Sequence, residues 1–265
     1  MGRIVLDTSA TIDDLLEIMR KRRSCRLFEP DPVPEEMITN ILEAGRWAPS
    51  GCSSEPWEFI VVRDAERRRR FSEIYSQQRK FSEERDAGPE GFPWPDLSYL
   101  FNVPVFIVVA GDRRLNRTYP MLYYRYDIYQ QSMAACIQNM FLAAAAQGLG
   151  ATWLSMGRHF EQELLALFEI PPGYRIETIL AIGWPDLRRE VRERRPLAEI
   201  VHYESFDPSR ARSEAAASAR VTATRGVRRL DREISGETPS TLGFGDKPLE
   251  KLGYTVESIE DRGKR

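Results

Sequence analysis

The chain is expected to form an α+β core, and three observations carry that expectation. Four short runs, Trp57–Val62, Val103–Ala110, Ala151–Ser155 and Ile176–Trp184, are rich in apolar residues and have strand length. Several of the segments between them place apolar residues three and four apart, the helical period. With 265 residues, 42% of them hydrophobic, the chain can bury one large core and still carry an extension.

The first helix begins at Thr11, with Asp14 three residues later as a capping-box partner. Leu15, Leu16 and Met19 give it an apolar face. It delivers Arg22-Arg23-Ser24-Cys25-Arg26 to a turn that ends near Pro30 and Pro32. Pro34 suits a first helical position, followed by Glu35 and Glu36, whose charges favour a helix start. Met37, Ile38, Ile41 and Leu42 form the buried stripe of this second helix, which Pro49 halts. After the polar loop Ser50–Glu55, Trp57–Val62 reads as a strand covered on both faces.

A charged helix follows from about Ala65, with Arg67 to Arg70 facing solvent. Ala87 to Leu97, rich in Pro, Gly and aromatics, is a loop that either covers a site or packs as a connection. The longest helix runs from about Tyr119 to Gln147, with Gly148 as its stop. Its half from Met133 to Ala146 is apolar nearly all round, so protein must surround it, which suggests a subunit interface. Tyr123, Tyr124, Tyr126 and Tyr129 line a pocket or that same interface. Glu161–Phe168 is a helix and Pro171-Pro172-Gly173 a turn. From Asp207 the composition shifts to Ala, Ser, Arg and Gly. The expected organisation is a core domain over 1–206 and an extension over 207–265 that wraps a partner subunit or stays mobile.

Several function classes are disfavoured. A net charge of -2 gives no reason to expect nucleic acid or a membrane surface as partner. No apolar run approaches the ~20 residues that cross a bilayer, and the N-terminal residues lack a signal peptide's apolar core. Three scattered cysteines without a C-x-x-C pair point to reduced thiols and a cytoplasmic location. With two histidines, no metal site is expected, and no G-x-S-x-G elbow supports a serine hydrolase.

Three arginines and a serine within five residues, at a helix end, form either a phosphate clamp or a solvated basic helix terminus. Their position beside a second motif bears on that choice. Arg22–Arg26, followed by Ala48-Pro49-Ser50-Gly51-Cys52-Ser53-Ser54-Glu55-Pro56-Trp57 and a strand, resembles the flavin-binding start of the nitroreductase superfamily. Ala143–Gly157 and Arg192–Ile200 fit two later motifs in the same order, so the resemblance spans roughly residues 12 to 206.

The resemblance implies a nitroreductase-like fold, a central mixed sheet flanked by helices, in a domain-swapped type of homodimer with FMN at the subunit interface. It assigns the FMN phosphate to Arg22, Ser24, Arg192 and Arg194, and the pyrimidine edge of the ring to Arg26 or Arg23. Pro49, Ser50 and Gly51 line the ring, with Cys52 near the substrate. Trp153, Leu154, Ser155, Met156 and Gly157 supply a donor to N5, Ser155 being the candidate side chain. No side chain stands out as a general acid.

The implied reaction is ping-pong: NAD(P)H reduces the flavin and leaves, then a nitroaromatic, quinone or other electron-poor small molecule is reduced. Absence of a G-x-G-x-x-G fingerprint fits a nicotinamide that binds transiently. The Ser50-Gly51-Cys52 loop and Glu55-Pro56-Trp57 look similar to the iodotyrosine deiodinase branch. Counting from Trp57, however, Arg79 and Glu83 stand where that branch has a Glu and a Tyr, which speaks against halotyrosine. Reductive dehalogenation, a flavin-consuming reaction and non-catalytic flavin binding are the alternatives.

Overall fold

A computed structural model of the chain describes residues 11–86, 97–115, 126–155, 161–186, 193–217 and 219. In chain order the elements are α1 (Ile12–Lys21), α2 (Glu35–Arg46), β1 (Trp57–Val62), α3 (Ala65–Asp86), β2 (Val105–Asp112), α4 (Tyr126–Ala146), β3 (Gly150–Leu154), α5 (Glu161–Leu167) and β4 (Tyr174–Gly183). The strands form one sheet in the order β1-β2-β4-β3, with every neighbouring pair antiparallel. The parallel pairing expected of a mixed sheet is confined, among the described residues, to a single bridge between Ser24 and Ala151.

Side chains alternate across a strand, so the sheet divides the core into two layers. Val105, Ile107 and Val109 of β2 face Ile38 and Ile41 of α2 and Met133, Ile137 and Met140 of α4. Phe106 and Val108 face the other way, onto Phe71 and Ile74 of α3 and Leu164 and Phe168 near α5. Phe71 meets Phe106 edge to face at 4.7 Å, an arrangement aromatic quadrupoles favour. The central strands β2 and β4 are buried along most of their length, as continuous apolar runs require. Covering β1 on both faces proves too much to expect: it is an edge strand, with Glu58 exposed and Phe59, Ile60 and Val61 half-buried.

Local signals set the helix ends. Thr11 and Asp14 close the capping box in both directions. Gly148 sits at φ 79° after α4, and the N–H groups of Leu149 and Gly148 bond Ala144 and Ala145 carbonyls, a Schellman stop. Pro34 stands one place earlier than expected, as the residue before α2.

α2 packs antiparallel on α4. Gly45 makes the close approach possible, because a Cβ there would lie 2.8 Å from Met140 Cγ. Asn139 Nδ2 donates to the Ala44 carbonyl at 3.1 Å, and Gln147 Nε2 to that of Met37.

Three expectations are revised by this packing. α1 has the apolar face predicted for it, yet none of its residues is buried, because the helix lies outside both core layers. Arg67, Arg69 and Arg70 are exposed and paired with glutamates. Arg68 instead is half-buried and donates to the carbonyls of Arg63 at 3.1 Å and Val103 at 2.6 Å, capping chain ends beside the sheet. Tyr129 is a core residue, donating its hydroxyl to Glu177 Oε1 at 2.9 Å. Tyr123, Tyr124 and the loop 87–96 lie outside the described residues.

The chain forms two compact units, one of residues 1–80 and 96–193 and the other of 81–95 and 194–265. Within the second, short helical turns occupy Leu197–Glu199 and Pro208–Arg210. Arg210 donates to the Val201 and Ala198 carbonyls, and His202 stacks on Phe206 with centroids 4.3 Å apart.

Gly111 is held to glycine by Tyr129, whose hydroxyl a Cβ at that position would overlap. Gly111→Ala is expected to destabilise the protein by about 1–3 kcal/mol, the usual cost of overpacking. Urea denaturation with an unchanged midpoint would contradict this packing.

Candidate functional site

The arginine turn owes its shape to the sheet edge it lies on. α1 ends when the Arg22 N–H bonds the Ile18 carbonyl, and the next residues run extended along β3. The Cys25 N–H donates to the Ala151 carbonyl at 3.0 Å, and the Thr152 hydroxyl donates to the Cys25 carbonyl. Farther on, the Glu29 N–H reaches the Trp184 carbonyl and the Asp186 N–H that of Leu27. Extended backbone sends alternate side chains to opposite sides. Cys25 therefore turns inward against Gly150, where a Cβ would come within 2.7 Å of it. Ser24 and Arg26 turn outward.

This stretch borders a cavity of about 330 Å³. Lys21, which is paired with Glu17, and Arg22, Arg23 and Arg26 contribute its charge and Ser24 a hydroxyl, and among the described residues no acidic side chain lines it. Its apolar wall comes from Phe141, Ala145, Leu149, Ala151 and Pro185. The Arg22 guanidinium lies over the Phe141 ring at 5.6 Å, and the Trp153 ring stacks on Phe141 at 6.2 Å. Guanidinium forks match phosphate oxygens, and a flat aromatic suits an apolar wall. The donor set thus fits a phosphate ester with a planar ring.

The loop expected to line the ring lies elsewhere on the chain. Pro49, Ser50, Gly51 and Cys52 do not border the cavity. The Gly51 N–H donates to Ser132 Oγ at 3.0 Å on α4, nine residues before Phe141 and so about 14 Å away along the helix. The loop is strained: Cys52, Ser53 and Glu55 have φ of 56°, 50° and 42°. Non-glycine residues in that region cost of order 1–3 kcal/mol each and persist where their surroundings hold them. Here the Ser53 and Ser54 N–H groups bond the Ser50 and Gly51 carbonyls, and the Glu55 N–H bonds Ser50 Oγ at 3.0 Å.

At the exit of β3, Trp153 is 42% exposed on the side of Phe141. Leu154 points the other way into the core, so only its backbone could serve a ligand on the Trp153 side. Ser155 is exposed, and its carbonyl accepts the Tyr75 hydroxyl at 2.9 Å. Met156, Gly157 and Arg192 lie outside the described residues. Arg194 is an exposed residue of the second compact unit.

Four of the expected residues, Arg22, Arg23, Ser24 and Arg26, therefore share one cavity. Sequence reasoning missed Lys21, Phe141 and Pro185 there. Lys21 was findable as the neighbour of the arginines; Phe141 and Pro185 carry no local signal. Cys136 is excluded as a nucleophile, since burial pushes its thiol up to about 12. Among the described residues no group of His, Cys, Asp and Glu could hold a metal, and no helix is long and apolar enough to cross a membrane.

An antiparallel sheet between helical layers, with a cationic cavity on its edge, defines a protein suited to an anionic, partly planar ligand. The chain belongs to the nitroreductase family, whose model matches residues 19–184. A protein of Archaeoglobus fulgidus carrying the names NADH dehydrogenase and NAD(P)H nitroreductase is 30% identical, over 66% of this chain and 87% of its own. An iodotyrosine deiodinase of Nematostella vectensis is 27% identical over 69% of this chain and 72% of its own. A nitroreductase structure from Desulfovibrio desulfuricans in complex with FMN superposes with a TM-score of 0.54 at 31% identity, covering 74% of this chain and all of the other.

Beside the loop, Glu43 accepts a fork from Arg46 and the Trp47 indole N–H at 2.6 Å, leaving Trp47 71% exposed. These bonds, led by that to Arg46, lower the Glu43 carboxyl to about 2. A depressed carboxylate keeps its contribution above its unfolded value and loses it as pH falls through the folded one. The Trp47 indole N–H resonance should accordingly hold from neutral pH down to about 4 and move with a midpoint near 2. A midpoint between 4 and 5 would show that the three side chains do not form this cluster in solution.

Proposed function

We propose that the chain is an FMN-dependent oxidoreductase that uses NAD(P)H to reduce an electron-poor small molecule, such as a nitroaromatic or a quinone, in ping-pong order. The observation that carries this is the cavity: four basic side chains and a hydroxyl facing an apolar wall, in a chain of the nitroreductase family. FMN carries a phosphate for the first and a planar ring for the second. The FMN-bound relative and the relative named for NAD(P)H support the same cofactor and reductant.

Bound FMN would supply the redox chemistry, accepting electrons from NAD(P)H and passing them to the acceptor. Arg22 and Ser24 hold the phosphate, for which the family resemblance also names Arg192 and Arg194 of the later motif. Arg26 or Arg23 supplies a cation at the pyrimidine edge, where negative charge is favoured by reduction. Trp153 and the backbone of Leu154 and Ser155 border the ring on the N5 side, where the family resemblance also names Met156 and Gly157. Pro49, Ser50 and Gly51 pack on the ring, and Cys52 stands toward the acceptor.

Within one chain the loop and the cavity meet α4 about 14 Å apart. A homodimer with FMN between subunits would set the loop of one copy over the cavity of the other, with the segment from Asp207 wrapping the partner. The exposed apolar residues of α1, Ile12, Leu15 and Met19, support such an assembly.

A second reading, reductive dehalogenation, has the deiodinase relative in its favour. Against it stand Arg79 and Glu83, where that branch carries its Glu and Tyr.

The pure protein is expected to be yellow, to bleach anaerobically with NADH or NADPH, and to recover its colour on addition of a nitroaromatic. No bleaching, or recovery with oxygen alone, would contradict the proposal. Arg194→Ala is expected to weaken FMN binding by roughly 1.5–3 kcal/mol, the worth of a charge-assisted hydrogen bond. Unchanged affinity by fluorescence titration would remove Arg194 from the phosphate site.

A further inference from the structure

We infer that Ser132 is a positioning residue for the flavin site: its buried hydroxyl fixes the pose in which Gly51 and its loop meet the ring. The inference rests on the FMN reading above and adds a residue that no motif identifies. Ser132 is 4% exposed on the inner face of α4. Its hydroxyl donates to the Ile128 carbonyl at 2.7 Å and accepts from the Gly51 N–H at 3.0 Å. Donation to the carbonyl four residues back fixes the hydroxyl rotor and leaves its lone pairs for the loop.

The strained residues explain why such an anchor matters. Cys52, Ser53 and Glu55 stay left-handed only if the loop start is held. Bonds inside the loop close it on itself, whereas the bond from Gly51 ties it to a helix.

That helix turn is itself fixed from the sheet. Tyr129 Oη and Gln130 Nε2 donate to the two carboxylate oxygens of Glu177 at 2.9 and 3.2 Å. The Arg113 guanidinium lies over the Tyr129 ring at 5.0 Å. Strand β4 thus sets the turn, the turn sets Ser132, and Ser132 sets the loop. Ser132 does not border the cavity, so it acts through Gly51.

The test compares Ser132→Ala, the isosteric Ser132→Cys and the hydroxyl-retaining Ser132→Thr with the wild type, all as holoprotein. Three quantities are measured: amide hydrogen exchange at Gly51–Glu55, the visible spectrum of bound FMN, and kcat and KM with NADH and a nitroaromatic. An orphaned N–H costs enough to shift a local equilibrium about tenfold. In the Ala and Cys variants, exchange at Gly51 should therefore quicken about tenfold. The flavin bands should shift and kcat should fall, while the thermal midpoint changes little. Thr should restore exchange, spectrum and kcat together. Wild-type exchange in the Cys variant, or faster exchange with an unaltered spectrum and kcat, overturns the role of Ser132 alone. A wild-type protein that takes up no FMN overturns the flavin reading and this inference with it. The wild-type arm tells the two failures apart.

Discussion

The site depends on a short stretch of backbone pairing, in which residues 24–29 lie against the edge strand β3 and the segment Trp184–Asp186 that follows β4. Bonds from Cys25 to Ala151 and from Glu29 to Trp184 convert a basic helix end into a fixed row of cations. With this pairing in place, Cys25 fills the space left by Gly150, and Arg22, Arg23 and Arg26 border one cavity. The edge that would otherwise be open to another strand is used to hold a binding segment, so one feature both protects the sheet and builds the cavity.

As an anion site, this corner would have unusual electrostatics. Phosphate-binding sites often use a helix N-terminus, where the dipole and free N–H groups favour negative charge. Here the cavity borders the C-terminal ends of α1 and α4, whose carbonyls favour cations. The helix ends therefore help to gather the arginines but oppose an anion. Attraction for phosphate must come from side-chain charge, which salt screens over about a Debye length of 8–10 Å. The Ser50–Glu55 loop is built differently, strained and held by backbone and hydroxyl bonds.

Features written within a few residues were legible in the sequence. The Thr11–Asp14 capping box, the Gly148 stop and the apolar strands follow from local geometry and period. The Arg22–Arg26 turn was legible through its resemblance to a family motif beside the Ala48–Trp57 loop, the residues alone leaving a phosphate clamp and a solvated helix end both open. Features that join distant segments were not. The Gly51–Ser132 bond spans 81 residues and the Tyr129–Glu177 bond 48, and nothing in either neighbourhood marks the partner. Arg68 is hidden in a run of four arginines, of which it alone turns toward the sheet. The apolar face of α1 was legible as a face, but periodicity does not say what covers it.

The most direct test of the cationic cavity compares FMN with riboflavin, which has the same ring and lacks the phosphate. Equilibrium titration of the apoprotein at low salt should show riboflavin binding at least tenfold more weakly, given that one charge-assisted bond contributes roughly 1.5–3 kcal/mol. The difference should shrink as salt is raised. Equal affinities for the two flavins, or a preference that salt does not touch, would mean that the arginine turn is not a phosphate site.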